Sequence, residues 1–377
     1  MTMLSRKLVQ GLSSIRSISS KAPQRVVITE FGNDPVEALE NYYKVENYDP
    51  PTEKDLGSND VLIKIRSCGV SWVDMLMTSG QYQHLAKPPY TPGLEYAGIV
   101  QSCGQEAKEK HGIEVGKEVF VDCITTGPRT SGNYGKFGGF CSYSIAPSEA
   151  IHTKPDHFSF EQASNFLGNY ETAYHVVVHC AKAKPGETIL IHGATGATGL
   201  AAVQIAKILG LNVIATGGSD DKLKTVQDYG ADHVINIRNL PKFRDEVKSK
   251  TKNGKGVEIV YDPIGGPTSI ESFKCVKFGA RFCIVGWTST PFVAKGKGQR
   301  GAPNANMLPT NLMMMKGERI ENAVWKIMGF TAILMLRDIN LEKFRLSKIK
   351  LLLHEIFMST TQFCVKKQVY CHLKNIS

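Results

Sequence analysis

The stretch 188–209 has the most direct chemical reading in this sequence. An apolar run, Thr188-Ile-Leu-Ile-His192, leads into Gly193-Ala-Thr-Gly196-Ala-Thr-Gly199 and then into Leu200-Ala-Ala-Val-Gln-Ile-Ala-Lys-Ile-Leu209, a stretch of helical composition. A dinucleotide pyrophosphate is held by bare backbone N–H groups at a helix N-terminus, and glycine lets the main chain approach it closely. Gly196 and Gly199 fill the second and third positions of the G-x-G-x-x-G pattern, Ala194 stands in the first, and Gly193, Ala197 and Thr198 complete the candidate cradle. A ligand-free strand-to-helix turn would use the same glycines, but strands and helices alternate on both sides of it, which favours nucleotide binding.

The next strand should end at the cofactor's ribose, where an NAD-binding chain places an acid on the 2′-hydroxyl. Here Asn212-Val-Ile-Ala-Thr216 runs into Gly217-Gly218-Ser219, with Lys222 soon after and no carboxylate at the strand tip. Ser219 can donate a hydrogen bond, and Lys222 a charge, to a 2′-phosphate, so NADPH fits better than NADH. Asp220 and Asp221 would oppose that phosphate if they folded back toward it. The nine cysteines include no Cys-x-x-Cys pair, which removes the usual signature of a zinc ribbon or a thioredoxin-like redox site. An odd count suits a reducing compartment, with most cysteines acting as small buried hydrophobes.

The elements that must position these residues form two blocks. Short apolar runs at 26–28, 61–65, 96–100, 117–121 and 140–145, separated by Gly, Pro and Asn, predict a β-rich domain over 22–154. From about residue 160, helical stretches alternate with apolar runs at 188–192, 212–216, 233–235, 258–261 and 281–285. That alternation predicts a parallel sheet with crossover helices over 155–317. A length of 377 residues is ample for two cores, and 42% apolar composition excludes wholesale disorder.

The net charge of +10 invites a nucleic-acid reading, but its location argues against one. Residues 1–21 carry +4, residues 317–377 carry +5, and the 295 residues between them only +1. A nearly neutral body has no broad basic face for nucleic acid. The longest apolar candidate for a membrane span, 327–336, is about half the required length. Residues 1–21 are rich in Ser, Arg and Lys and lack acids, and as a helix they align Leu4, Leu8, Leu12 and Ile15. This is transit-peptide composition, so mitochondrial import is expected, against a disordered basic tail and otherwise a cytoplasmic location.

Several segments, taken in order, resemble one family. Cys68-Gly-Val-Ser-Trp-Val-Asp74, Ser79-Gly-Gln-Tyr82, Pro92-Gly-Leu-Glu-Tyr-Ala-Gly98, Thr172-Ala-Tyr174, the glycine turn, Gly230-Ala-Asp-His-Val-Ile-Asn236, Tyr261-Asp-Pro-Ile-Gly-Gly266 and Asn311-Leu-Met-Met-Met-Lys-Gly317 together span 25–317. The chain is similar to zinc-independent medium-chain dehydrogenases/reductases of the quinone oxidoreductase (zeta-crystallin) type, including the quinone oxidoreductase-like proteins. The resemblance implies an α/β fold in which a GroES-like β-rich catalytic domain joins a Rossmann doubly wound parallel sheet, with the active site in the cleft between them.

Zinc-dependent relatives carry a catalytic Cys where this chain has Ser71 and a His where it has Leu94, so no zinc is expected. The implied reaction is hydride addition from NADPH to a quinone or a conjugated enone, acceptors that are electrophilic without a Lewis acid. The resemblance marks Tyr82 as a cleft phenol able to hydrogen-bond the acceptor oxygen, or else as a packing aromatic. Ser71 stands where quinone reductases often have Asn. Thr172 matches a position beside the nicotinamide, or is a helix-entry Thr with a local hydrogen bond. Asp262, Val285 and Gly286 are implied on the cofactor side, and Arg238 as a substitute for a lost aromatic contact near the adenosine phosphate. An enoyl-thioester reductase and a non-catalytic, crystallin-like cofactor-binding protein remain the alternatives, and a homodimer remains open.

Two stretches depart from the family pattern. Residues 292–307, with Lys295, Lys297 and Arg300 among glycines, suggest an enlarged loop at the cofactor mouth, or only a solvated one. Residues 318–377 show no closing strand-and-turn pattern. No Gly occurs after residue 329 and no Pro after Pro309, so a helical and irregular tail replaces the family's closing segment. Either the tail is a genuine replacement or the reading frame or exon changes there.

Overall fold

The computed structural model describes residues 22–80, 82, 85–130, 132–286 and 288–289. The transit-peptide, loop and tail expectations at 1–21, 292–307 and 318–377 lie outside the described residues. Two compact units divide between Gly168 and Asn169, inside the helix Leu167–Tyr174.

The first unit is antiparallel throughout. Strands β1 (Gln24–Ile28) and β2 (Tyr43–Asn47) pair with each other. A five-stranded sheet follows the order β6 (Tyr143–Pro147), β3 (Asp60–Cys68), β4 (Tyr96–Cys103), β5 (Glu118–Val121), β7 (Ile151–Thr153). Alternate residues of β3, Val61, Ile63 and Ile65, bury one face of the pleat against Tyr96, Val100, Val119 and Val121. Helix α1 (Trp72–Thr78) follows β3. The unit continues past the expected 154 boundary because the short helix α2 (Phe160–Ala163) packs on β3 and β4. Phe158 and Phe166 stack edge-on, and Phe166 meets Phe120 of β5 in the same way.

In the second unit all five strands are parallel, in the order β10 (His233–Asn236), β9 (Asn212–Gly217), β8 (Thr188–Ile191), β11 (Val257–Asp262), β12 (Val276–Ile284). Strands covered on both faces read as unbroken apolar runs, and all four residues of β8 are buried. Helices α3 (Leu167–Tyr174), α4 (Ala197–Ile208), α5 (Asp220–Asp228) and α6 (Pro267–Phe273) belong wholly or in part to this unit. The chain steps outward from β8 through β9 to β10, then returns to the other side of β8 with β11 and β12. That reversal is the doubly wound order, and it makes the carboxyl ends of β8 and β11 the place where a ligand binds.

Candidate active site

At the end of β8 the chain turns through Gly193, whose φ of +60° suits a residue without a Cβ. The turn is closed by Gly196 N–H donating to Gly193 O (2.9 Å) and is tied to β9 by Ala194 N–H donating to Thr216 O (3.0 Å). Gly196 is the N-cap of α4 and has no side chain to satisfy the first N–H groups of this 12-residue helix. Gly196 and Ala197 are exposed, so those donors and the positive end of the helix dipole face outward. A Cβ on Gly199 would lie 2.3 Å from Gly193 O, which is why the helix can start so close to the turn. Thr198 Oγ1 donates to Asn169 Oδ1 (2.7 Å), so its side chain braces the cradle from within the unit. The expected residues Gly193, Gly196, Ala197, Thr198 and Gly199 therefore lie together in one turn that opens into a helix N-terminus.

Beneath that turn lies His192, which the motif reading passed over. It is fully buried, with Nδ1 2.8 Å from Thr216 Oγ1 and Nε2 2.7 Å from Ser272 Oγ. Burial holds its pKa below the usual imidazole range, so it is a neutral strut joining the ends of β8 and β9 to α6. Its sequence signal is a histidine closing a buried apolar strand immediately before a glycine turn.

Asp262, expected on the cofactor side, is 1% exposed and turned inward. Oδ1 accepts from the N–H groups of Ile264 (2.8 Å) and Gly265 (3.0 Å), and Oδ2 accepts from Ser269 Oγ. With both oxygens committed, its carboxylate shapes the 262–266 turn. Val285 N–H donates to Asp262 O (2.9 Å), which sets Val285 and Gly286 beside that turn at the end of β12.

The tip of β9 shows how a ribose phosphate could be met. Ser219 is the N-cap of α5, yet its side chain makes no capping bond. Lys222 is exposed, and among the described residues no carboxylate lies within ion-pair distance of it. The Arg238 guanidinium lies over Gly218, 3.4 Å from where a Cβ would stand. Asp220 is tied to the end of β10: Asn236 Nδ2 donates to its Oδ1 (2.8 Å), while Asn236 Oδ1 accepts from Arg238 N–H (3.1 Å). Asn236 thus restrains the acid and fixes the main chain that carries the base, a pairing that no short motif displays.

In the first unit Ser71 proves to be a helix cap. Its Oγ donates to Asp74 Oδ2 (2.7 Å) and accepts from Asp74 N–H (3.1 Å), and Asp74 Oδ2 accepts from Ser71 N–H (2.9 Å), a capping box that starts α1. The hydroxyl proton of Ser71, a candidate catalytic residue, is thus engaged by a buried carboxylate. Asp74 Oδ1 also accepts from Gly93 N–H (3.1 Å), which pins the turn carrying Leu94 and Glu95. Leu94 is buried with Met77 and Cys123, and Val73 and Tyr82 pack on that cluster. The Arg129 guanidinium stands 5.7 Å from the centre of the Tyr82 ring. Thr172 is half-buried inside α3 and does not open that helix, so the helix-entry account of it does not apply.

Glu95 is the ionisable group that the motifs did not flag. Its Oε1 accepts from Gly168 N–H (2.6 Å). Burial pushes its carboxyl up to about 7, against the lowering effect of that N–H, with Asp74 raising it and Arg129 lowering it further. Such a group changes charge near neutrality. Among the described residues no cluster of three or more His, Cys, Asp and Glu is placed to hold a metal.

Comparison with known proteins agrees with both units. Residues 57–156 match the alcohol dehydrogenase GroES-like domain family, and residues 197–324 match the zinc-binding dehydrogenase family. Human quinone oxidoreductase is 31% identical over 270 residues, covering 72% of this chain and 75% of that protein. The crystal structure of Escherichia coli quinone oxidoreductase complexed with NADPH is similar at 27% identity, a TM-score of 0.57, and coverage of 71% of this chain and 74% of that one. The CurK enoyl reductase structure is similar at 26% identity, a TM-score of 0.57, and coverage of 70% and 73%. The parallel sheet with its glycine cradle is a nicotinamide-cofactor fold, and the chain belongs to the quinone oxidoreductase family of medium-chain dehydrogenases/reductases.

Proposed function

We propose that this protein reduces quinones or conjugated enones with NADPH, without zinc. The observation that carries this reading is the tip of β9. Ser219, Lys222 and Arg238 offer a hydroxyl and two cations there, and one carboxylate oxygen of Asp220 accepts from Asn236. Gly193, Gly196, Ala197 and Gly199 would hold the pyrophosphate on main-chain N–H groups, and the bound cofactor supplies the hydride. The relative's complex with NADPH supports the same cofactor here. Independence from zinc is supported by Leu94, a buried hydrocarbon where zinc-dependent relatives have a ligand, and by Ser71, whose hydroxyl is engaged by Asp74. Quinones and enones are then the fitting acceptors, because neither needs a metal to become electrophilic. The likeness to an enoyl reductase structure favours one second reading, reduction of an enoyl thioester. The composition of residues 1–21 supports import into mitochondria.

The test measures consumption of NADPH and NADH with 9,10-phenanthrenequinone and with an enoyl thioester, together with cofactor binding by fluorescence. NADPH should bind at least about tenfold more tightly than NADH, a difference of about 1.4 kcal/mol, and Arg238→Ala should erase most of it. An equal or better affinity for NADH would overturn the cofactor assignment. Binding without turnover of any acceptor would overturn the enzymatic one.

A further inference from the structure

We infer that Arg129 is the cationic contact for the acceptor's oxygen, receiving the negative charge that develops there on reduction, with Tyr82 beside it. This rests on the reductase reading above and adds to it the residue that would replace a metal's electrostatic role.

The loop carrying Arg129 is built to hold it still. Asp122 Oδ1 accepts from Ile124 N–H (2.7 Å), Gly127 takes a φ of +74°, and Pro128 starts a single turn, Gly127–Arg129. Thr130 closes the turn twice on Gly127 O, through its N–H (2.9 Å) and its Oγ1 (2.8 Å). A side chain launched from so constrained a backbone loses little freedom on binding.

The guanidinium is half-buried beside a cluster of Met77, Leu94, Cys123 and Tyr82. One N–H points at Cys123 Sγ (3.7 Å), a weak acceptor. Arg25, Arg244 and Arg281 each sit on a carboxylate, whereas among the described residues none lies within ion-pair distance of Arg129. Its field reaches Glu95, but that carboxyl titrates at about 7 and so is only partly ionised near neutrality. Arg129 itself keeps its proton, since its pKa rises despite desolvation, under the influence of Cys123, Tyr82 and Glu95. A partly desolvated cation without a close anion is costly to maintain, and an arriving oxyanion offsets that cost.

The chemistry requires such a partner. Hydride addition to a quinone leaves a hydroquinone monoanion, and addition to an enone leaves an enolate; each carries its charge on oxygen until that oxygen or the α-carbon takes a proton from water. A fixed guanidinium stabilises this oxygen more than the neutral carbonyl that preceded it, which is the condition for accelerating the step.

The experiment uses the full chain with NADP+ and 4-nitrophenol, whose phenolate mimics the oxyanion and is read by its absorbance without turnover. The wild type should bind the phenolate and lower its apparent pKa. Arg129→Lys should retain part of that shift, and Arg129→Met should abolish it while NADPH affinity stays unchanged. In turnover with 9,10-phenanthrenequinone, Arg129→Met should lower kcat about 10²-fold. A phenolate that titrates as in buffer, or a shift that survives in Arg129→Met, overturns the assignment. An Arg129-dependent shift in a protein that turns over neither quinone nor enone supports the anion site and overturns the reductase reading. Undiminished kcat in Arg129→Met does the reverse.

Discussion

Glu95→Gln isolates the charge that the fold holds at an unusual pKa. The carboxyl accepts from Gly168 N–H at 2.6 Å and is packed so closely that a Cβ on Gly168 would come within 3.0 Å of it. Burial raises its pKa from the ordinary 4.5 to about 7, so the folded state binds the proton more tightly than the unfolded chain does. The stability contributed by the neutral form is fully present below pH 4.5 and is lost as pH rises through about 7. A single proton is worth about 1.4 kcal/mol per pH unit, which gives an upper bound of about 3 kcal/mol across that interval. Solvent reaches part of the side chain, which brings the expectation to about 1–2 kcal/mol. Glutamine keeps an oxygen for the Gly168 N–H and does not titrate, while every other ionisable group is common to both proteins. In parallel urea unfolding, the Gln variant should gain about 1–2 kcal/mol over the wild type between pH 5 and pH 8. A difference that does not change with pH, or a wild type that gains on the variant, would refute the argument from burial.

Two other substitutions probe the second unit. Gly199→Ala sets a Cβ 2.3 Å from Gly193 O and 2.8 Å from Ala194 Cα, both backbone, so the cradle must open; NADPH affinity by fluorescence should fall at least about 10²-fold, and retained binding would deny that the turn is the cofactor site. Arg281→Met removes a bidentate pair with Glu187 and the bond from Arg281 Nε to Ala181 O (2.8 Å), which should cost about 2 kcal/mol in calorimetry with little change in NADPH affinity.

How far the sequence anticipates the structure follows from how local each signal is. Strands β8, β9 and β11 are legible because burial on both faces leaves mostly apolar runs, and because glycine turns and helices punctuate them. Strand β2, Tyr-Lys-Val-Glu-Asn, escapes notice because it is mostly exposed and is held as a strand by its register with β1. The extension of the compact first unit to Gly168 is hidden for a similar reason. A turn-rich stretch after β7 reads as a linker until Phe158 and Phe166 find each other and Phe120.

The same distinction separates the two kinds of functional residue. The glycine turn is seven consecutive residues, Gly193 to Gly199, whose chemistry is that of the main chain, so residue type and spacing nearly determine it. Side-chain chemistry depends on partners far away in sequence. The Ser71 hydroxyl is engaged by Asp74, and the Asp262 carboxylate is enclosed by Ser269 and two backbone N–H groups, partners that no local pattern announces. Arg129 and Glu95 are ordinary charged residues in the sequence. They become chemically distinctive because Leu94, Met77, Cys123 and Tyr82 remove water around one, and Gly168 packs against the other. Charge tuned by such long-range desolvation depends on residues far apart in the sequence. Such groups emerge only when the first unit is folded.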